Sequence, residues 1–174
     1  LHTPHQAGII ENMLRQRMPA FVMVDPVMAD NGAFYSGLSE ATAQAMRTLA
    51  AYASVITPNV TEAALLTGQA GLLRGPLSDA DVRALLDGLL ALGTKAAVVT
   101  GCFLAQENMH YVYGRSADGP VFRFAYRHSA VRRFGTGDTF SAVLAGCLMR
   151  GQSLEESASA AVRFLGRAFE QAQS

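Results

Sequence analysis

Apolar residues recur along the chain at two spacings, and the alternation between them predicts the architecture. Ile9, Ile10, Met13 and Leu14 fall at helical spacing and predict a first helix running to about Met18. "AFVMVDP" is an unbroken apolar run closed by Pro26 and reads as a short buried strand. "VMADNGAFYSG" follows as a glycine-containing loop. Ser39 is placed to cap a second helix that turns Thr42, Ala45, Met46 and Leu49 inward. "ASVITPN" repeats the buried strand stopped by proline, and "TEAALLTG" reads as a short helix, with Asn59 or Thr61 near its N-cap and Gly68 at its end. Ser78 opens a helix with the stripe Val82, Leu85, Leu86, Leu89 and Leu90, closed by Gly93. "KAAVVTG" is a third buried strand, and "NMHYVYG" and "PVFRFAY" alternate as the two arms of an antiparallel hairpin. Two helices finish the chain, one on Phe140, Val143, Leu144, Cys147 and Leu148, the other on Leu154, Ala158, Ala161, Val162, Leu165 and Phe169.

Apolar strands separated by helices predict an α/β fold with a mostly parallel sheet covered on both faces. The 174 residues suit one such domain, spanning 1–174. Half of them are hydrophobic and 16% are charged, a globular balance. Lys plus Arg equals Asp plus Glu at 14 each, which argues against a nucleic-acid or anionic-membrane partner. No apolar run reaches the length of a membrane span, and the first residues lack the pattern of a signal peptide. The two cysteines, Cys102 and Cys147, have no metal-like spacing and read as buried thiols of a cytoplasmic protein.

In parallel sheets ligands bind beyond the carboxyl ends of the strands. Each predicted strand here ends in polar candidates: Asp25, then Thr57, Pro58 and Asn59, then Thr100 and Gly101. "FGTGD" adds a glycine turn opening a helix. Gly135 and Gly137 let successive N–H groups point outward around Thr136, and the helix N-terminus contributes partial positive charge, so the corner suits a phosphoryl group. Asp138 beside it reads either as a general base taking a proton from an attacking hydroxyl or as an ordinary first-turn acid. Asp25 and Glu62 read either as carboxylates for Mg2+ on a nucleoside triphosphate or as turn and capping residues. Thr100 reads as a phosphate donor or as a satisfied hydroxyl. Arg127, His128, Arg132 and Arg133 precede the glycine turn and read as nucleotide contacts or solvated charge. His2 and His5 lack partners for a metal site, and Tyr35 reads as packing.

"DPVMADNG", "ITPNVTEAALLTG", "VVTG" and "FGTGDTFSAVLAGCLMRG", in this order, resemble the ribokinase-like superfamily and within it the pyridoxal (vitamin B6) kinases. The resemblance implies a three-layer α/β sandwich and ATP-dependent phosphorylation of the 5′-hydroxymethyl group of pyridoxal, pyridoxamine or pyridoxine. It implies Asp138 as catalytic base and Gly135, Thr136 and Gly137 as its anion hole. Asp25, Thr57, Asn59, Glu62 and Thr100 match positions for ATP phosphates or Mg2+, Tyr35 matches a metal-associated position, and Arg127 and His128 lie where the family meets nucleotide. Hydroxymethylpyrimidine phosphate kinases share "DPVM" and Asn-x-x-Glu but commonly carry Cys where this chain has Asp138, so they stand as the alternative. Sugar and nucleoside kinases share Gly-x-Gly-Asp. The family also has a sizeable portion preceding the Asp25 strand. Its lack here implies a truncated domain with an open sheet edge and little activity alone, and leaves a silent nucleotide-binding unit as a third reading. A homodimer is the assembly the resemblance suggests.

Overall fold

The computed structural model describes residue 1, residues 3–126 and residues 135–171. Helix α1 (Pro4–Arg17) leads to strand β1 (Met23–Val24), then to β2 (Ala29–Asp30) and β3 (Ala33–Phe34). Helix α2 (Glu40–Ala50), strand β4 (Val55–Ile56), helix α3 (Val60–Leu66), a 3-10 turn (Ala70–Arg74) and helix α4 (Asp79–Ala91) follow. Strands β5 (Ala96–Leu104), β6 (Met109–Ser116) and β7 (Phe122–Tyr126) and helices α5 (Thr136–Met149) and α6 (Leu154–Gln171) complete the order. The main sheet has five strands in the order β1-β4-β5-β6-β7. The β1–β4 and β4–β5 pairs are parallel, and β5–β6 and β6–β7 are antiparallel. The predicted hairpin is β6–β7, and it extends the sheet.

Two apolar cores lie on opposite faces of this sheet. Ala97 and Val99 of β5 join Tyr111 and Tyr113 of β6 against residues of α2, α3 and α4, including Met46, Leu66 and Leu86. The alternate residues Ala96, Val98 and Val112 pack with Phe140 and Leu144 of α5 and Ala158 and Ala161 of α6. The period of two in a strand sends alternate side chains to opposite faces, so a strand buried on both sides is apolar throughout. This is the three-layer sandwich expected from the sequence.

Three features differ from the sequence reading. The segment after Asp25 is a small antiparallel ribbon, with Ala29 opposite Phe34 and Asp30 opposite Ala33. Asn31 and Gly32 make its turn at φ 51° and 80°, and Asn-Gly is the pair that tolerates this handedness. The ladders of β1 and β4 are two residues each, because Pro26 and Pro58 lack the N–H that would prolong them. Strand β5 does not stop at Thr100 and Gly101. Its pairing with β6 shifts register between Val99 and Cys102 and then continues to Leu104, so Thr100 sits in a bulge. Of the two thiols, Cys102 is fully buried and Cys147 is half-buried, and neither is in a disulfide.

Candidate active site at the carboxyl rim of the sheet

Strands β1, β4 and β5 are neighbours and run parallel, so the residues following them share one rim. Thr57 N–H donates to Val24 O at 3.0 Å and Thr100 N–H to Pro58 O at 3.0 Å, which laces the three strand ends together. Asn59 and Thr100 form a parallel bridge just beyond the ladder. The bulge is braced from β7: Gly101 N–H donates to the Tyr126 hydroxyl, whose pKa burial pushes up to about 12.

The first turn of α3 is closed on itself. Asn59 Oδ1 accepts from Glu62 N–H at 2.9 Å, and Glu62 Oε2 accepts from Asn59 N–H at 2.9 Å, a reciprocal capping box. Glu62 Oε1 also accepts from Met28 N–H at 3.0 Å and Ala29 N–H at 3.4 Å, while Asn59 Nδ2 donates to Ala29 O at 2.8 Å. Gly32 N–H donates to Thr61 Oγ1 at 3.0 Å. The helix start therefore clamps the whole segment from Met28 to Gly32. Glu62 is only 3% exposed. Burial outweighs its backbone hydrogen bonds, and the charge of Asp25 adds to it, so its pKa rises to about 7.

The first turn of α5 has no side-chain cap from its N-cap residue. Gly135 is its N-cap at φ 79°, ψ 8°, a left-handed conformation that glycine adopts without strain. Having no side chain, it leaves the leading amides of the helix without the cap a Ser or Asn would supply. Gly137 and Asp138 are exposed and Thr136 is half-buried. One turn further in, Ser141 is buried and its Oγ lies 3.1 Å from Thr57 Oγ1. Ser141 also hydrogen-bonds the Asp25 carboxyl. Asp25 is half-buried, and desolvation raises its pKa, opposed by the Ser141 hydrogen bond and assisted by the negative charge of Asp138.

The structure thus brings Asp25, Thr57, Asn59, Glu62, Thr100 and the Gly135–Asp138 turn to one rim. Asp25 lies within electrostatic reach of both Asp138 and Glu62. Thr57 is buried against Ser141, and Asn59 and Glu62 spend their polar atoms on the segment that follows Asp25, so their positions serve the site from behind. Tyr35 follows β3, with its N–H on Met28 O at 2.9 Å and its side chain 42% exposed. Arg127, His128, Arg132, Arg133 and His2 lie outside the described residues. The sequence reading missed Ser141. Its one signal was a hydroxyl in the buried stripe of α5, three residues beyond Asp138.

Among the described residues, the rim gathers the carboxyl groups of Asp25, Glu62 and Asp138. Among the described residues, no ion pair engages Asp25, Glu62 or Asp138; the six present involve other carboxylates. A divalent cation suits such a rim. Among the described residues no three His, Cys, Asp or Glu side chains stand close enough to hold a metal alone. Among the described residues, no helix is long and apolar enough to cross a membrane.

The sequence and fold have counterparts among known proteins. The chain is 31% identical over 141 residues to a Caenorhabditis elegans protein named as a candidate pyridoxal kinase, covering 79% of this chain and 42% of that protein. It is 32% identical over 143 residues to the hydroxymethylpyrimidine/phosphomethylpyrimidine kinase of Rhizobium meliloti, covering 82% of this chain and 52% of the relative. Among solved structures, pyridoxal kinase from Lactobacillus plantarum superposes with a TM-score of 0.85 at 32% identity, over 98% of this chain and 59% of that one. An ADP complex of Bacillus subtilis pyridoxal kinase superposes at 0.76 with 26% identity, over 93% of this chain and 59% of that one. The chain spans about half the length of the curated relatives it matches. A sequence profile described as phosphomethylpyrimidine kinase matches residues 1–174, and the chain belongs to that family.

Proposed function

We propose that the protein transfers the terminal phosphoryl group of ATP to the 5′-hydroxymethyl group of pyridoxal or a related B6 vitamer. The observation that carries this reading is the pairing of Asp138 with the open first turn of α5, set across from Asp25 on the carboxyl rim. In this reading the vitamer hydroxyl attacks the γ-phosphorus while Asp138 takes its proton, and ADP departs with the electron pair of the broken P–O bond. The amides following Gly135 hold the transferring group, whose oxygens carry the negative charge of the transition state. Asp25, backed by Glu62, would hold Mg2+, which would supply neutralisation of the triphosphate charge when bound. Thr100, with its backbone tied to Pro58, faces the phosphates. The tasks of Thr136, Tyr35, Arg127 and His128 follow from the family resemblance alone. The known ADP complex of a structural relative supports nucleotide binding. Unpaired thiols suit a cytoplasmic setting.

Hydroxymethylpyrimidine phosphate is the second acceptor to consider, because curated relatives carry that activity in their names. Asp138 favours the vitamer, since the pyrimidine enzymes commonly have Cys at this position. A transfer assay with both acceptors, read beside calorimetric binding of Mg·ATP, separates the readings. A higher kcat/KM for pyridoxal is expected. The reverse order assigns the chain to the pyrimidine substrate, and Mg·ATP binding with no transfer to either leaves a nucleotide-binding unit.

A further inference from the structure

We propose that Ser141 is a positioning residue, which ties the first turn of α5 to the ends of β1 and β4 and so sets where Asp138 stands relative to Asp25. Its expected effect on turnover rests on the kinase reading; its effect on the helix does not.

Ser141 has polar partners at the ends of two strands. It hydrogen-bonds the Asp25 carboxyl, which favours the ionised form of that group against the effect of burial. Ser141 Oγ lies 3.1 Å from Thr57 Oγ1, a buried hydrogen bond in which either hydroxyl can donate. Thr57 Oγ1 also donates to Val24 O at 3.5 Å, the longer of its two contacts. The chain Thr57 to Ser141 to Asp25 therefore links β4, α5 and β1 through two hydroxyls. Both are buried, Thr57 at 4% and Ser141 at 9% exposure, where water competes little for the bonds.

Helix α5 needs such an anchor. Helices α1, α3 and α4 are held at their first turns by the capping boxes Thr3/Gln6, Asn59/Glu62 and Ser78/Asp81. The start of α6 is bonded by Ser153 and Glu156 in the same way. Gly135 offers α5 nothing comparable, and a side-chain cap there would occupy the amides that the proposed phosphoryl group uses. Ser141, five residues beyond the start of the helix at Thr136, anchors it without drawing on those amides. Asp138 and Ser141 lie one turn apart on neighbouring rows, so motion of one is carried to the other.

The test uses Ser141→Ala in the full chain, with Thr57→Val as a second variant that cuts the same link from β4. Amide hydrogen exchange is followed together with steady-state kinetics and Mg·ADP binding. Exchange at Thr139 and Phe140 is expected to rise severalfold while that of Leu144 to Leu148 stays unchanged. The acceptor kcat is expected to fall about ten- to a hundredfold, with KM and Mg·ADP affinity near wild type. The double variant is expected to be little worse than either single one. Unchanged exchange and kcat overturn the proposal. So do a uniform rise in exchange along α5 and α6, which marks a plain loss of stability, and additive losses in the double variant. A wild-type chain that transfers no phosphate sinks the kinase reading, and the exchange pattern alone then decides the role of Ser141.

Discussion

Two helices begin on the same rim and begin in opposite ways. Helix α3 starts with Asn59 and Glu62 satisfying each other's backbone, buried, with Glu62 also holding Met28 and Ala29. Helix α5 starts with a left-handed glycine, exposed at Gly137 and Asp138, with its buried polar link a turn further in. A closed start converts carboxylate and amide groups into scaffold. An open start leaves donors for a ligand and relies on another element for rigidity. In the proposed kinase reading, the two acidic motifs, Asn-x-x-Glu and Gly-Asp, divide the labour between holding and reacting.

Breaking the open start at its acid has the largest expected effect. Asp138→Asn should lower phosphoryl transfer by about 10²- to 10⁴-fold, the range for a positioned general base. Calorimetry should find Mg·ADP affinity within a fewfold of wild type, and unchanged turnover would end the base assignment.

The closed start is probed by pH. The Glu62 pKa lies at about 7 in the folded chain against 4.5 when unfolded. Between these values the folded state holds the proton that the unfolded state has lost. Its contribution to stability is therefore fully present below about pH 4.5, declines as pH rises towards 7, and is constant beyond, a span of roughly 3 kcal/mol. Denaturant titrations across this range in metal-free buffer should show the decline in the wild type. Glu62→Gln, which does not titrate, should remove that component; parallel curves for the two proteins would contradict it.

Two smaller changes sharpen the contrast. Gly135→Ala forces a side chain into φ 79° and should cost about 1–2 kcal/mol in thermal unfolding, with weaker nucleotide binding. Asn59→Ala removes half of the capping box and should cost about 1 kcal/mol, with a smaller effect on nucleotide affinity than Gly135→Ala. Equal binding losses at the two positions would erase the distinction between the starts.

Much of this was legible because it is local. Ser78, three residues ahead of Asp81, and Asn59, three ahead of Glu62, announce helix starts by chemistry that acts within one turn. The alternation in "NMHYVYG" and "PVFRFAY" announces the β6–β7 hairpin. The ribbon at Asn31 and Gly32 also has a local signal, the Asn-Gly turn, but strands of two residues are too short for any period to reveal.

What the amino-acid order determined by itself was the helices, the strands of the main sheet, the caps at Ser39, Asn59 and Ser78 and the set of polar residues that follow the strands, since each depends on neighbours a few positions away. Only the tertiary structure decided that β4 lies between β1 and β5, that Thr100 sits in a bulge against Asn59, that Glu62 reaches back to Met28, and that Ser141 bridges Thr57 and Asp25. Those contacts join residues 34 to 84 positions apart at Glu62–Met28 and Thr57–Ser141. They form when two sheet faces are buried together, and no short-range pattern carries information about which strand ends will meet.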